Sequence, residues 1–254
     1  MLSNLQNFLS LSGTEVLIAM LVVLLAGMVR GFAGFGMSAL MMAGLALIMP
    51  PITLIPICFM LEAVASVMMF RGGFRLADRK VVWGLVIGTT IGTPIGLMGT
   101  MAVSPDTSRT IALILILVLA LMQLLRSSPA FLATRKGLYT TGLTAGIATG
   151  LASVGGMVVA LYVLAQQAPA NRMRASLVMY LALAMFSSGL WLYVSGLLDT
   201  LAIQRALVFA PVVILGVILG TILFRPSLEQ FYKRFCLGLL MSLALTGLVR
   251  MSLS

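Results

Sequence analysis

Long apolar segments, separated by short polar connections, make up most of this chain. They run over residues 15–49, 52–70, 80–103, 109–125, 138–168, 174–197, 202–224 and 231–249. A helix needs about 20 apolar residues to cross the hydrocarbon core of a bilayer, and most of these segments fit one crossing. The pattern therefore predicts an all-α membrane protein that forms one integral membrane domain, with no soluble domain.

Two of the segments are too long for a single crossing. A straight helix over 15–49 would reach about 50 Å, against about 30 Å of hydrocarbon. Both 15–49 and 138–168 contain a glycine cluster near the middle, at 31–36 and at 150–156. Glycine is the usual residue where the backbone must leave helical dihedral angles. We therefore predict two broken or re-entrant helices whose glycine clusters are non-helical or sharply kinked and face each other near the midplane.

The two long segments also resemble each other. Residues 26–51 align without a gap over residues 145–170, with eight identical positions. Four more identities follow at nearly the same offset, and pair Asp78 with Asp199, Gly99 with Gly220, Thr100 with Thr221 and Pro105 with Pro226. The alternative is chance similarity between helices rich in Gly, Ala and Leu. We favour two related halves, 1–130 and 131–254, each a broken helix followed by three transmembrane helices.

The basic residues predict how the halves are oriented. The net charge is +10, but nearly all Lys and Arg lie between apolar segments, where they mark cytoplasmic loops and not a nucleic-acid site. If each long segment crosses once, the loop Lys and Arg divide nine to six between the two sides. If each folds back at its glycines, they divide twelve to three. The second arrangement predicts inverted repeats in the bacterial inner membrane, with 71–80, 126–137 and 225–234 cytoplasmic and both termini periplasmic.

The glycine clusters are the best candidates for a binding site. A helix broken inside the membrane exposes backbone N–H groups and the positive end of a half-helix dipole, and both attract anions. The alternative is close helix packing, to which we assign Gly88, Gly92 and Gly96, or a hinge near Pro94. We predict that the substrate contacts Arg30, Gly31, Gly34, Phe35, Gly36, Ser153, Gly155 and Gly156.

Arg30 and Glu62 are the only charged residues deep inside apolar segments. Such residues are costly in hydrocarbon and are functional candidates by default. Arg30 adjoins the first glycine cluster and is a candidate to bind an anion; the alternatives are snorkelling or a structural ion pair with Glu62. Glu62 either relays a proton or only supplies the counter-charge. Weaker candidates for polar contacts are Ser38, Ser176, Tyr162, Tyr180 and Tyr193.

Composition argues against other classes of protein. Apolar residues make up 61% of the chain and charged residues 9%, too few charges to cover a water-facing surface. The chain has no His, and Cys58 and Cys236 lie within apolar segments, so we expect no metal and no cofactor. The membrane segments contain no paired carboxylates or nucleophile–base set, which argues against an enzyme. The first 13 residues carry no Lys or Arg, so we expect no cleavable signal peptide.

Specific motifs accompany the two clusters. The first half contains RGFAGFGMSALMM (30–42) with Pro50 after it, and the second contains GIATGLASVGGMVVALYVL (146–164), followed by Pro169 and a helix start at Arg174-Ala175-Ser176-Leu177. In these motifs and in its repeat order the chain resembles the sulfite exporter TauE/SafE family, also called the 4-toluene sulfonate uptake permease family.

The resemblance implies a secondary active transporter of small sulfur-containing anions such as sulfite, thiosulfate or organosulfonates. It also implies coupling to the proton gradient, and inverted repeats with broken helices are typical of transporters that work by alternating access. An anion channel, a transporter of other small organic anions, or a membrane scaffold remain alternatives. The expected partners are the anion and membrane lipid, with no nucleic acid. Direction of transport, coupling ion and the choice between monomer and homodimer stay open.

Overall fold

The computed structural model describes residues 12–69, 76–125, 130–166, 170–223 and 229–253. These residues contain ten α-helices, one short 3₁₀ helix at Ala130–Ala133, and no strand. In chain order the helices are α1 (Gly13–Ala33), α2 (Met37–Leu45), α3 (Pro51–Met69), α4 (Arg79–Ala102), α5 (Pro105–Leu124), α6 (Arg135–Ala152), α7 (Gly155–Ala165), α8 (Ala170–Val194), α9 (Thr200–Leu223) and α10 (Glu229–Ser252).

Polar residues between the apolar segments fix where several helices begin. Ser12 and Glu15 form a capping box at the start of α1, each side chain accepting a hydrogen bond from the backbone of the other. The carboxylate of Asp78 accepts hydrogen bonds from the first turn of α4, and the hydroxyl of Thr134 caps α6. These caps satisfy backbone N–H groups that a helix leaves unpaired at its start.

Within the described residues, seven helical segments are long and apolar enough to cross a membrane, judged by length and composition. They are α1, α3, α4, α5, α9, residues Ala175–Val194 of α8, and residues Arg234–Ser252 of α10. The prediction of a multi-pass, all-α membrane protein is confirmed. The sequence predicted six full crossings, three in each half. α1 is a seventh candidate, because its 21 residues form a helix of sufficient length before the glycine break begins.

Both overlong segments are broken at their clusters. α1 ends at Ala33, Gly34 and Gly36 adopt positive φ of 81° and 88°, and α2 begins at Met37. In the second half, Ser153 adopts φ 57° between α6 and α7. The gapless alignment pairs Gly34 with Ser153, so the chain breaks at equivalent positions. The breaks are shorter than predicted: residues 31–33, 150–152 and 155–156 are helical.

The chain folds back at each break. A Cβ placed on Gly44 of α2 would lie 2.8 Å from Cγ1 of Val22, well before the end of α1, so α2 runs back along α1. α7 packs against α6 and also contacts the 3₁₀ helix that precedes α6. Both short helices therefore return toward the side from which the chain entered.

Glycines join the two halves of the chain at two helix crossings. A Cβ on Gly92 or Gly96 of α4 would lie 2.1 Å from the backbone oxygen of Leu143 or Ile147 in α6. Likewise, a Cβ on Gly220 of α9 would lie 2.1 Å from the backbone oxygen of Met28 in α1. Only glycine permits such close approach. The packing role predicted for the α4 glycines is confirmed, and an equivalent crossing joins α9 to α1.

Candidate functional site

The two breaks meet at one small cavity of about 70 Å³, walled by α2, α3, α4, α6, α7 and α8. This is room for a few waters or one small anion. Most of its wall is apolar, so the polar groups that face it stand out. They are Ser38, Glu62, Thr93, Thr149, Ser153, Tyr180 and Ser188.

The starts of α2 and α7 lie at this wall. Gly36, immediately before α2, and Gly155 and Gly156, the first residues of α7, all line the cavity. A helix start carries partial positive charge and N–H groups without intrahelical partners. Two of them at one cavity favour a negatively charged occupant.

Arg30 lies behind the cavity and does not line it. The side chain is completely buried, and its Nε lies 3.2 Å from Oε2 of Glu62. One terminal nitrogen donates a hydrogen bond to the carbonyl of Gly34, and the other donates to Oγ of Ser66 at 3.0 Å. Arg30 therefore stabilises the first break and neutralises Glu62 at the same time.

Glu62 connects this buried arginine to the cavity. Its Oε1 accepts a hydrogen bond from Oγ of Ser38 at 2.9 Å and lies 3.4 Å from the backbone nitrogen of the same residue. The side chain is 17% exposed and faces the cavity. A carboxylate thus occupies the positive start of α2, where a bound anion would be expected. Glu62 is the only acidic residue among the described residues of the wall.

Tyr180, a buried residue of the cavity wall, carries a hydroxyl group. Its oxygen lies 2.9 Å from Oγ1 of Thr89, which donates to the carbonyl of Gly142 at 3.1 Å. Because that bond uses the threonine proton, Tyr180 is the donor to Thr89. The hydroxyls of Thr93 and Thr149 donate to backbone carbonyls four residues earlier, as threonine commonly does inside helices.

The structure divides the predicted substrate contacts into two groups. Gly36, Ser153, Gly155 and Gly156 line the cavity, as does Glu62. The other four do not: Arg30 and Gly34 bond to each other, Gly31 packs against α9, and Phe35 is buried in the apolar core. Substrate binding by these eight residues stays a prediction.

The weaker candidates are also divided. Ser38 and Tyr180 face the cavity. The hydroxyl of Ser176 accepts from the N–H of Asp78 and so joins α8 to the start of α4. Tyr193 is mostly exposed, and Tyr162 is buried in the core. Cys58 and Cys236 are buried and unbonded to each other, in keeping with a packing role.

Sequence reasoning missed three polar residues of the wall, Thr93, Thr149 and Ser188. One of them, Thr149, could have been found from the sequence. The gapless alignment pairs Thr149 with Arg30, so the second half has a neutral hydroxyl group where the first half has a charged side chain. The same offset pairs Glu62 with Leu181, which also lines the cavity. The two halves thus contribute unequally, with both charges in the first. Among the described residues, no group of three or more acidic or cysteine side chains is placed to hold a metal ion.

The fold and site define the class of protein as a polytopic helical membrane protein with two re-entrant helices around a small, mostly apolar cavity that a few polar groups face. The family model for the sulfite exporter TauE/SafE matches residues 19–247, nearly the whole chain. The chain belongs to this family, whose membership implies a membrane transporter of sulfur-containing anions such as sulfite. Comparison with curated proteins and with solved structures gives no match.

Proposed function

We propose that the protein is a secondary active transporter that carries one small sulfur oxyanion or organosulfonate together with a proton across the bacterial inner membrane. The observation that carries this proposal is the meeting of two helix starts and one carboxylate, Glu62, at a single small cavity. Helix starts supply donors for an anion, and a carboxylate supplies a site for a proton. Together they provide what is needed to couple the two.

The anion would bind between the starts of α2 and α7. Backbone N–H groups near Gly36, Gly155 and Gly156 and the hydroxyls of Ser38 and Ser153 are its proposed donors. Arg30 contributes as a fixed positive charge behind the wall and not as a direct ligand. In a cavity of low effective dielectric constant, an unbalanced charge at this depth acts much more strongly on an anion than it would in water.

Glu62 would make binding depend on a proton. While the carboxylate is ionised, it cancels the charge of Arg30 and occupies the start of α2 through Ser38. Protonation leaves Arg30 uncompensated and weakens the hold of Glu62 on that start, so an oxyanion can take its place. Loss of the proton restores the carboxylate as an internal competitor and expels the anion. Proton and anion then move together.

The inverted relation between the halves is part of the proposal, and helix directions support it. α4 is parallel to α6, since Gly84 meets Leu138 and Gly99 meets Leu151, and α1 is parallel to α9 by the contacts of Gly27 and Gly31. α8 starts beside the start of α4, where Arg172 pairs with Asp78 at 2.9 Å. If the short connection at 195–199 reverses the chain between the two membrane-spanning helices α8 and α9, then α1 and α6 run in opposite directions, as the proposal requires.

Opposed halves, 1–130 and 131–254, suit alternating access, in which one repeat rocks against the other around a central site. In the proposed orientation, which the charge bias of the loops favours, the starts of α4, α6 and α8 lie in the cytoplasm and both termini in the periplasm. The glycine crossings between α4 and α6 and between α1 and α9 are the surfaces across which such motion would be transmitted or resisted.

Flux measurements on purified protein in proteoliposomes test the proposal against an anion channel. We expect saturable uptake of sulfite, thiosulfate or a small sulfonate, driven by an imposed pH gradient and without measurable unitary conductance. Uptake measurements with a panel of small carboxylates test the alternative that the substrate is another organic anion. Large single-channel currents with the same anions, or uptake indifferent to the pH gradient, would contradict proton-coupled transport.

A further inference from the structure

A second cavity is lined by other faces of α6 and α7 and shares no lining residue with the proposed transport site. It has a volume of about 360 Å³, lies between α5, α6 and α7, and has almost entirely apolar walls. Its wall runs along successive turns of α6, from Thr141 to Leu151, and along the facing side of α5. Thr144, on its rim, is exposed, so the cavity opens at the outer surface of the helices.

One polar group inside this cavity has no partner. Within the part of the chain that the structure describes, the hydroxyl of Thr141 makes no hydrogen bond, although the residue is only 2% exposed. Its neighbours Thr140 and Thr144 each donate to the carbonyl four residues earlier, as does Thr149. A buried donor without an acceptor is costly, which points to an acceptor on whatever fills the cavity.

Positive charge lies at the start of α6, about one and a half turns before the first residue of this helix that lines the cavity. Lys136, in the first turn of α6, is exposed, and Arg135 adjoins it. Lys136, Thr140 and Thr144 follow one another at four-residue spacing, so they lie along one side of α6 that leads to the rim of the cavity. Lys136 precedes Thr141 by five residues, about 7.5 Å along the helix axis. A ligand that carries a negatively charged group, then a hydrogen-bond acceptor and then a hydrocarbon chain would match the order of Lys136, Thr141 and the apolar wall.

The shape and the lining of the cavity favour a hydrocarbon occupant. Its walls are almost entirely apolar, and it is open at the outer surface of the helices, so it suits a flexible alkyl chain. Its position among helices that cross the bilayer gives such a chain direct entry from the lipid.

We propose that this cavity binds one anionic glycerophospholipid. The phosphate lies near Lys136, an ester carbonyl accepts a hydrogen bond from Thr141, and the acyl chain fills the space beside Ala148 and Leu161. Basic residues beside a groove between transmembrane helices are suited to anionic headgroups. The site is separate from the transported anion and does not depend on its identity.

Native mass spectrometry of the purified protein, titrated with defined lipids, tests this proposal. The probes are phosphatidylglycerol with ester-linked chains, its ether-linked analogue, which lacks the carbonyl, and phosphatidylcholine. We expect the ester-linked lipid to bind about three- to tenfold more tightly than the ether-linked one, as expected for a single neutral hydrogen bond. Equal affinity of the parent protein for the ester and ether lipids would overturn the proposal without any mutation.

Three substitutions test which residue contacts which part of the lipid. Thr141→Val should abolish the difference in affinity between the ester-linked and ether-linked lipids. Lys136→Gln should abolish the preference for phosphatidylglycerol over phosphatidylcholine. Ala148→Phe should fill the cavity and weaken the binding of both the ester-linked and the ether-linked lipid. Thr246→Val and Lys80→Gln, at exposed sites elsewhere, are the matched controls. Unchanged lipid binding by Ala148→Phe would overturn the proposal, as would a change in oligomeric state alone, which would make a second copy the occupant.

Discussion

The guanidinium of Arg30 lies 3.2 Å from the carboxylate of Glu62, yet only the carboxylate faces the cavity. The arginine is sealed behind the first helix break, where it also bonds to Gly34 and Ser66. The charge that we propose attracts an anion and the group that we propose binds a proton are thus adjacent but have different access to the cavity. Changing either one alone changes the net charge that an entering anion meets.

Removing Arg30 tests its role as a fixed charge. We expect Arg30→Ala to abolish transport and to lower the free energy of unfolding by about 3–5 kcal/mol, because it leaves Glu62 without its partner. Arg30→Lys keeps the charge but cannot reach Glu62, Gly34 and Ser66 together, so it should weaken transport. The measurements are flux in proteoliposomes and thermal unfolding in detergent.

The double variant Arg30→Met/Glu62→Leu separates folding from function. Replacing a buried ion pair by apolar residues of similar size is often neutral for stability. We therefore expect this variant to fold nearly as well as the parent but to carry no anion. Transport at the parental rate would show that the pair is purely structural and that the helix starts alone hold the substrate.

Ser153 offers a test of the second break. It is the only non-glycine residue with positive φ among the described residues, and such a conformation costs roughly 1–2 kcal/mol. Ser153→Gly should therefore keep or raise the unfolding temperature, whereas Ser153→Val should lower it, since a β-branched side chain tolerates this conformation poorly. Equal unfolding temperatures for the two variants would contradict a left-handed residue at this position.

The glycine crossings predict a pattern of sensitivity to alanine. Gly92→Ala and Gly220→Ala each place a methyl group 2.1 Å from a backbone oxygen, so the helices must move apart, at a cost of about 1–3 kcal/mol. Gly238→Ala is the matched control, because nothing lies within 4 Å of its added methyl group. Thermal unfolding of the three variants measures the effect, and equal losses at 92 and 238 would refute the close crossing.

The two helix breaks could be predicted from the sequence, because each lies at a glycine cluster within an apolar segment that is too long for one crossing. Segment length and glycine content are both local properties of the sequence. Gly34 and Ser153 differ in type but align, and both adopt left-handed backbone. Which side chains reach the cavity could not be predicted, because this depends on how α1 rotates against α9. Gly31 and Arg30 adjoin the first cluster in sequence, yet packing turns the glycine toward α9 and buries the arginine. Thr149 faces the cavity from the equivalent place in the second half.

Cysteine labelling tests the proposed orientation. Arg135, at the start of α6, and Asp106, at the start of α5, are both exposed, while the native Cys58 and Cys236 are buried. In intact cells a membrane-impermeant maleimide should label Asp106→Cys but not Arg135→Cys, and lysis should make the second site reactive. Strong labelling of Arg135→Cys from outside would contradict the inverted arrangement.

Simultaneous measurement of proton and sulfite movement tests the central claim most directly. Proteoliposomes that contain a trapped pH indicator are given a sulfite gradient with no initial pH difference. The parent protein should move protons in the direction of sulfite at a fixed ratio. Glu62→Gln should bind sulfite but move no protons, while Asp106→Asn, at an exposed carboxylate outside the cavity, should behave like the parent. Sulfite flux without proton movement in the parent, or undiminished proton movement in Glu62→Gln, would contradict the account.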